Sequence, residues 1–191
     1  MRKGLSLSLL VLIAACASRL PKEAIELYDI GKPDGWMEIE ADRDGRIIEI
    51  EADIELSQVP KVVMDAAKAA LPGGTVTGAE KEIIGKKHAY EVKMTKGSVG
   101  YEFVFTPDGT LIESEKEIGR ADAPDGVVDA GLAAVPGSEF RSVEVVERYG
   151  VSTYHVKSTK NGGRYKMVVT PDGKVIRAVR EAKAEIEIPL K

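Results

Sequence analysis

The heptapeptide at 106–112 reads TPDGTLI, and 64 positions later 170–176 reads TPDGKVI. Aligning the chain with itself at that spacing extends the match in both directions, and the repeat governs every other expectation. Val59-Pro60 pairs with Ala123-Pro124, and Leu71-Pro72-Gly73 with Val135-Pro136-Gly137. Tyr90 to Lys93 pairs with Tyr154 to Lys157, and Tyr101 with Tyr165. A further step back from Asp108-Gly109 reaches Asp44-Gly45, so the hairpin occurs a third time in an incomplete N-terminal copy. The motif explains itself structurally. Proline sets the first corner of a type I turn, aspartate the second, and the glycine after them takes the left-handed conformation.

Each full copy is expected to open with a short helix, Ser57 or Asp122 as cap, proline in the first turn and Pro-Gly as the stop. The stripe Val59, Val63, Ala66, Ala67 and Ala70 is small, so the helix can lie close to a sheet. Gly126 and Gly131 would weaken the second helix by about 2 kcal/mol relative to alanine. Alternation then predicts strands over 76–84, 88–95, 100–106 and 110–117, recurring over 139–147, 152–159, 164–170 and 174–183. The N-terminal copy, 24–54, reads as about three strands without a helix. Trp36 is expected to fill core more than to contact a partner. The fold class expected is α+β: tandem units, each a helix plus a four-stranded antiparallel sheet, with the helices on one sheet face.

The first residues stand apart. Arg2 and Lys3 precede an apolar stretch, Leu5 to Ile13, too short to span a bilayer, so 1–15 reads as a signal peptide. Ile13-Ala14-Ala15-Cys16 resembles a bacterial lipobox, and Cys16 is the only cysteine. Lipidation there implies a membrane anchor through a tether, 16–23, without a spanning helix. Ala17 is not the aspartate associated with inner-membrane retention, so the resemblance implies the outer membrane, with periplasmic or outer face left open. Removing Arg2 and Lys3 from the 27 Lys and Arg leaves 25 against 31 Asp and Glu, a formal charge of −6. That balance disfavours nucleic acid.

The stretch IELSQVPKVVMDAAKAALPGGTVTGAEKE followed by AYEVKMTKGSVGYEFVFTPDGTLIESEKE resembles PepSY-type domains, and more closely the PepSY-like, β-lactamase-inhibitor-like group, over residues 36–184. The resemblance implies full repeats at 55–118 and 119–184, followed by a short tail at 185–191. It implies an envelope protein that binds or restrains a secreted peptidase or another envelope protein, and it supplies no catalytic residues. The second copy departs from it with DAPDGVVDAG at the helix start and His155 in place of Glu91.

No catalytic, cofactor or metal motif is legible. His88 and His155 lie in strands of different units, with no zinc spacing. Glu40, Asp42, Asp44, Gly45 and Glu51 echo a calcium loop, but between strands instead of helices. The expected activity is therefore protein binding through the helix-free sheet face, carried by Glu91, Lys93, Glu102, His155, Lys157 and Lys166. The alternative is a cation-responsive or structural surface lipoprotein that uses the acidic hairpin of Glu38, Glu40, Asp42, Glu49, Glu51 and Asp53. A solvated outer face explains that acidity as well.

Overall fold

A computed structural model describes residues 22–32 and 35–182. The leader, Cys16 and the tail at 185–191 lie outside the described residues. Ten strands follow the alternation to within a residue or two. They are β1 (Met37–Ala41), β2 (Ile47–Asp53), β3 (Thr75–Ile84), β4 (Lys87–Lys96), β5 (Val99–Phe105), β6 (Leu111–Ile118), β7 (Glu139–Arg148), β8 (Val151–Lys160), β9 (Gly163–Val169) and β10 (Val175–Glu181). Among the described residues three α-helices accompany them: α1 (Lys22–Ile30), α2 (Lys61–Ala70) and α3 (Val127–Ala133).

The repeated turns form as their residues dictate. Gly109 and Gly173 have φ of 85° and 82°, and Gly45 of the incomplete copy 78°. The Gly109 amide donates to the Thr106 carbonyl at 2.9 Å, and the Thr106 amide to the Thr110 carbonyl at 2.9 Å. The Thr106 hydroxyl donates to Asp108, and this bond holds the exposed Asp108 carboxyl below its ordinary value. The same bond joins Thr170 to Asp172.

The strands do not segregate into two four-stranded units, which corrects the tandem arrangement. β2 pairs with β3 from Glu49↔Ile84 to Asp53↔Glu80, and β6 pairs with β7 from Glu113↔Arg148 to Ile118↔Val143. One ten-stranded antiparallel sheet results, each strand lying beside its neighbours in sequence. Separate units would have left four rows of unpaired N–H and C=O groups at their edges, and merging removes the inner ones.

The N-terminal copy also differs from expectation, because residues 22–30 are helical and only two strands follow. Ile25-Glu26-Leu27 reads equally as alternation or as part of a helical stripe, and short apolar runs do not separate the two. Packing settles it. Ala24 and Leu27, three apart, are buried against Ile50, Ala52 and Ile83.

All three helices cover the same side of the sheet. Val63 and Ala67 of α2 pack on Val92, Met94, Phe103 and Phe105, and Val127 and Val128 of α3 on Val143, Val156, Met167 and Val169. Each large buried side chain contributes about 1.5–3 kcal/mol. The expected caps are not the ones used. Ser57 and Asp122 belong to 3-10 turns at Leu56–Gln58 and Arg120–Asp122, while Pro60 and Gly126 cap the helices. Gly126 therefore lies outside α3, with φ of 79°, and weakens nothing. Gly131 is a packing requirement, since a Cβ there would lie 2.8 Å from Cβ of Val156.

Laid flat, ten strands about 4.8 Å apart would hold β1 and β10 about 43 Å from each other. Yet Arg177 of β10 pairs with Glu40 of β1, and the charge of Lys166 on β9 reaches Glu49 on β2. The sheet is therefore strongly curled. Since these contacts cross between helix-free surfaces, that face lines the inside of the curl, and the helices lie outside it.

Candidate functional site: a charged hollow

Strand register decides which side chains enter the hollow. Glu80↔Glu91 and Lys93↔Glu102 pair across β3, β4 and β5, and Glu144↔His155 and Lys157↔Lys166 across β7, β8 and β9. All six residues named as partner-binding from the sequence thus share this face. The face is not the broad open surface expected of it. Glu91 is 8% exposed and its neighbour Glu82 2%. The curl brings the lining groups over one another, which an open sheet would not do.

Charge is divided between the two sides of the hollow. β1 to β6 contribute Glu38, Glu40, Glu49, Glu51, Asp53, Glu80, Glu82, Glu91, Glu102, Glu113, Glu115 and Glu117, against Lys93 and, at the rim, Lys87. β7 to β10 contribute Arg148, Lys157, Arg164, Lys166 and Arg177, beside Glu144 and the rim residues Glu139 and Glu181. Where the two sides meet they pair. Arg148 donates to Glu113, and Arg177 forms an ion pair with Glu40.

The acidic side is under electrostatic stress. Burial pushes the Glu51 carboxyl up to about 9, with Glu82 and Glu49 adding to the effect. Burial raises Glu82 to about 8, and Glu49, Glu113 and Glu80 contribute. Glu91 is raised well above the carboxylate range, first by burial and then by Glu102 and Glu80. Lys93 is the nearest cation. It donates to Glu80 at 2.5 Å and stands 3.6 Å from Oε1 of Glu91, which accepts no hydrogen bond.

On the basic side cations face the acids, although burial still raises Glu144. The Glu80–Lys93 pair recurs 64 residues on as Glu144–Lys157, at 2.8 Å. Burial alone would raise Glu115. The facing imidazole of His155, 3.5 Å away, and the charges of Lys157 and Lys166 outweigh it and bring Glu115 down to about 2. Glu115, Glu144 and His155 also place one ligand atom each within 4.8 Å of one another. Two carboxylates and an imidazole suit a divalent transition ion, although Lys157 already neutralises Glu144. The sequence reading missed this group because its members come from three strands. Register between β6, β7 and β8 was the signal that could have shown it.

Other residues singled out from the sequence fall elsewhere. Oδ1 of Asp42 accepts the amides of Asp44 and Arg46 at 2.9 Å each, and Arg46 pairs with Asp44, so the calcium-loop echo is committed to a turn. Trp36, expected in the core, is 70% exposed, with its amide donating to Asp53 at 2.8 Å. His88 lies exposed on the outer face, beside α1 at a cleft lined by Glu26, Leu27 and Lys81.

No protein-family profile matches the chain, and no curated protein matches it by sequence. Solved structures do. A provisionally assigned periplasmic protein from Bacteroides eggerthii superposes with TM-score 0.52 at 19% identity, covering 64% of this chain and 88% of its own. A DUF2874 family protein from Bacteroides uniformis gives 0.51 at 19% identity, covering 63% and 88%. A BLIP-like protein from Bacteroides fragilis gives 0.49 at 15%, covering 67% and 90%. At these identities the first two likenesses show that the covered part of this chain shares its fold with them.

Proposed function

We propose that this chain is a non-catalytic envelope protein, anchored through lipid on Cys16, that receives a protein partner in the hollow of its sheet and restrains it. The observation that carries this reading is the partition of charge inside the hollow, acidic on β1 to β6 and basic on β7 to β10. A lining of opposed charge gives a partner one orientation, because like charges brought together cost several kcal/mol while matched ones steer the encounter. The resemblance of the repeats to PepSY-like domains and the fold shared with a provisionally periplasmic protein support the envelope setting.

The test is photocrosslinking in the native host from Lys93 and Lys157, both partly accessible in the hollow, with exposed Lys68 on α2 as control. One envelope protein captured from both hollow positions and absent from the control is the expected outcome. The same set of abundant proteins from all three positions would sink the reading.

A further inference from the structure

We propose that the carboxylates of Glu51, Glu80, Glu82, Glu91 and Glu102 form a seat for lysine or arginine side chains presented by an extended basic segment of the partner. This rests on the reading that the hollow takes a protein, and it names the chemistry of what enters.

The repeat supplies an internal control for why the acids are there. At the positions equivalent to Glu82, Glu91 and Glu102, the second copy carries Val146, His155 and Lys166 on the same strands of the same sheet. The fold therefore requires only a side chain of tolerable size at these places. Glutamates at three of them add mutual repulsion without any gain in packing. Charged groups held where they destabilise their own surroundings belong with binding and catalysis more often than with architecture.

A second observation points to a missing cation. Glu91 is nine-tenths buried, its Oε1 accepts no hydrogen bond, and the ammonium of Lys93, 3.6 Å away, is already bonded to Glu80. An orphaned acceptor of this kind costs desolvation without return until a donor arrives. Lys93 alone cannot satisfy Glu80, Glu91 and Glu102 together.

The spacing selects an extended polycation over a single metal ion. Among the described residues, the group with three donor atoms within 4.8 Å of one another is Glu115, Glu144 and His155, where β6 meets β7 and β8. The acidic seat is spread across β2 to β5, with lateral steps of about 4.8 Å and same-face steps of about 6.8 Å along each strand. Alternate side chains of an extended peptide repeat at about the same 6.8 Å. Ammonium or guanidinium groups at that interval meet successive carboxylates, whereas one ion reaches too few of them.

Arrival of such charges has a signature. Burial and the neighbouring carboxylates leave Glu51 and Glu82 holding protons near neutrality, with Arg148 as the opposing charge that reaches Glu82. A bound lysine or arginine replaces those protons, so binding releases protons into solution.

Titration calorimetry with the peptide Lys-Ser-Lys-Ser-Lys at about 50 mM salt, where exposed charges are weakly screened, tests the seat. The wild-type chain is expected to bind it with a heat that depends on the ionisation enthalpy of the buffer, and to ignore Glu-Ser-Glu-Ser-Glu. Glu82→Val with Glu91→His imports residues that the second copy already accommodates, and should weaken binding about tenfold or more. Glu91→Gln, closer in shape, should do the same in part and guards against misfolding of the double variant. Equal weakening by Glu26→Gln with Glu147→Gln, at exposed positions outside the hollow, would overturn the proposal, as would undiminished binding by Glu91→Gln or no binding by wild type. Crosslinking from Lys157 in the Glu82→Val, Glu91→His variant separates the two levels. Undiminished capture of the partner there leaves the hollow as the binding site and removes the basic segment.

Discussion

The two full repeats use one backbone plan for opposite ends. On the outer side, repeat one is the better packed. Its helix has ten residues against seven, and Phe103, Phe105 and Met94 occupy the places of Met167, Val169 and Ser158. Ser158 is fully buried, and its hydroxyl has no hydrogen-bond partner. On the inner side the order reverses. Repeat one and the hairpin before it crowd carboxylates that burial first, and then one another, keep protonated, while repeat two pairs Glu144 with Lys157 and supplies His155 and Arg148 to Glu115 and Glu113 of repeat one. The half with the stronger core carries the less comfortable lining. Stability gained on one face of a sheet can support an electrostatically unfavourable arrangement on the other.

The largest test of that contrast removes a matched pair of core side chains. Phe105→Ala should cost about 3–5 kcal/mol and Val169→Ala about 2 kcal/mol, read from urea unfolding midpoints. Equal losses would mean that the outer faces do not differ. Next, Gly131→Ala should destabilise by about 1–3 kcal/mol despite the better helix propensity of alanine, because the new methyl meets Val156. A gain in stability would show α3 to be loosely seated.

The smallest effect depends on pH. Folding raises Glu51 to about 9 and Glu82 to about 8 from 4.5, so the folded state binds more protons than the unfolded one over that interval. Their contribution is fully present below about 4.5 and is lost as pH rises through 8 and 9. Glu115, lowered to about 2, acts in the opposite sense and loses its contribution as pH falls from 4.5 towards 2. Glu82→Val should therefore raise the melting temperature more at pH 9 than at pH 5, by about 2–4 °C for each kcal/mol relieved. A gap of the same size at both pH values would remove the stress assigned to Glu82.

Much of this was readable before any coordinates. The TPDG corners, with Gly109 and Gly173 left-handed, and the alternation of Tyr90, Val92 and Met94 against Glu91 and Lys93 gave strand limits and faces correctly, because both are local properties of the chain. Two things were not readable. The helix at Lys22–Ile30 rests on Ala24 and Leu27 meeting Ile50 and Ile83, contacts distant in sequence. The curl depends on strands as far apart as β1 and β10, and no pairwise pattern announces that Glu40 will meet Arg177. Without the curl, the hollow's six sequence-named residues looked like an open surface, and the stress on Glu82 and Glu91 could not be seen.

The neighbour-to-neighbour strand order bears on how the chain reaches its shape. Every pairing in the sheet closes either a hairpin or a connection through one short helix, so no strand waits for a distant partner. Such sequence-local topology favours rapid assembly. A chain emerging from its N-terminus can lay each hairpin on the one before it. At each stage the most recently added strand presents the growing edge, and stray pairing with other chains is confined to that edge and to β1 at the other end of the sheet.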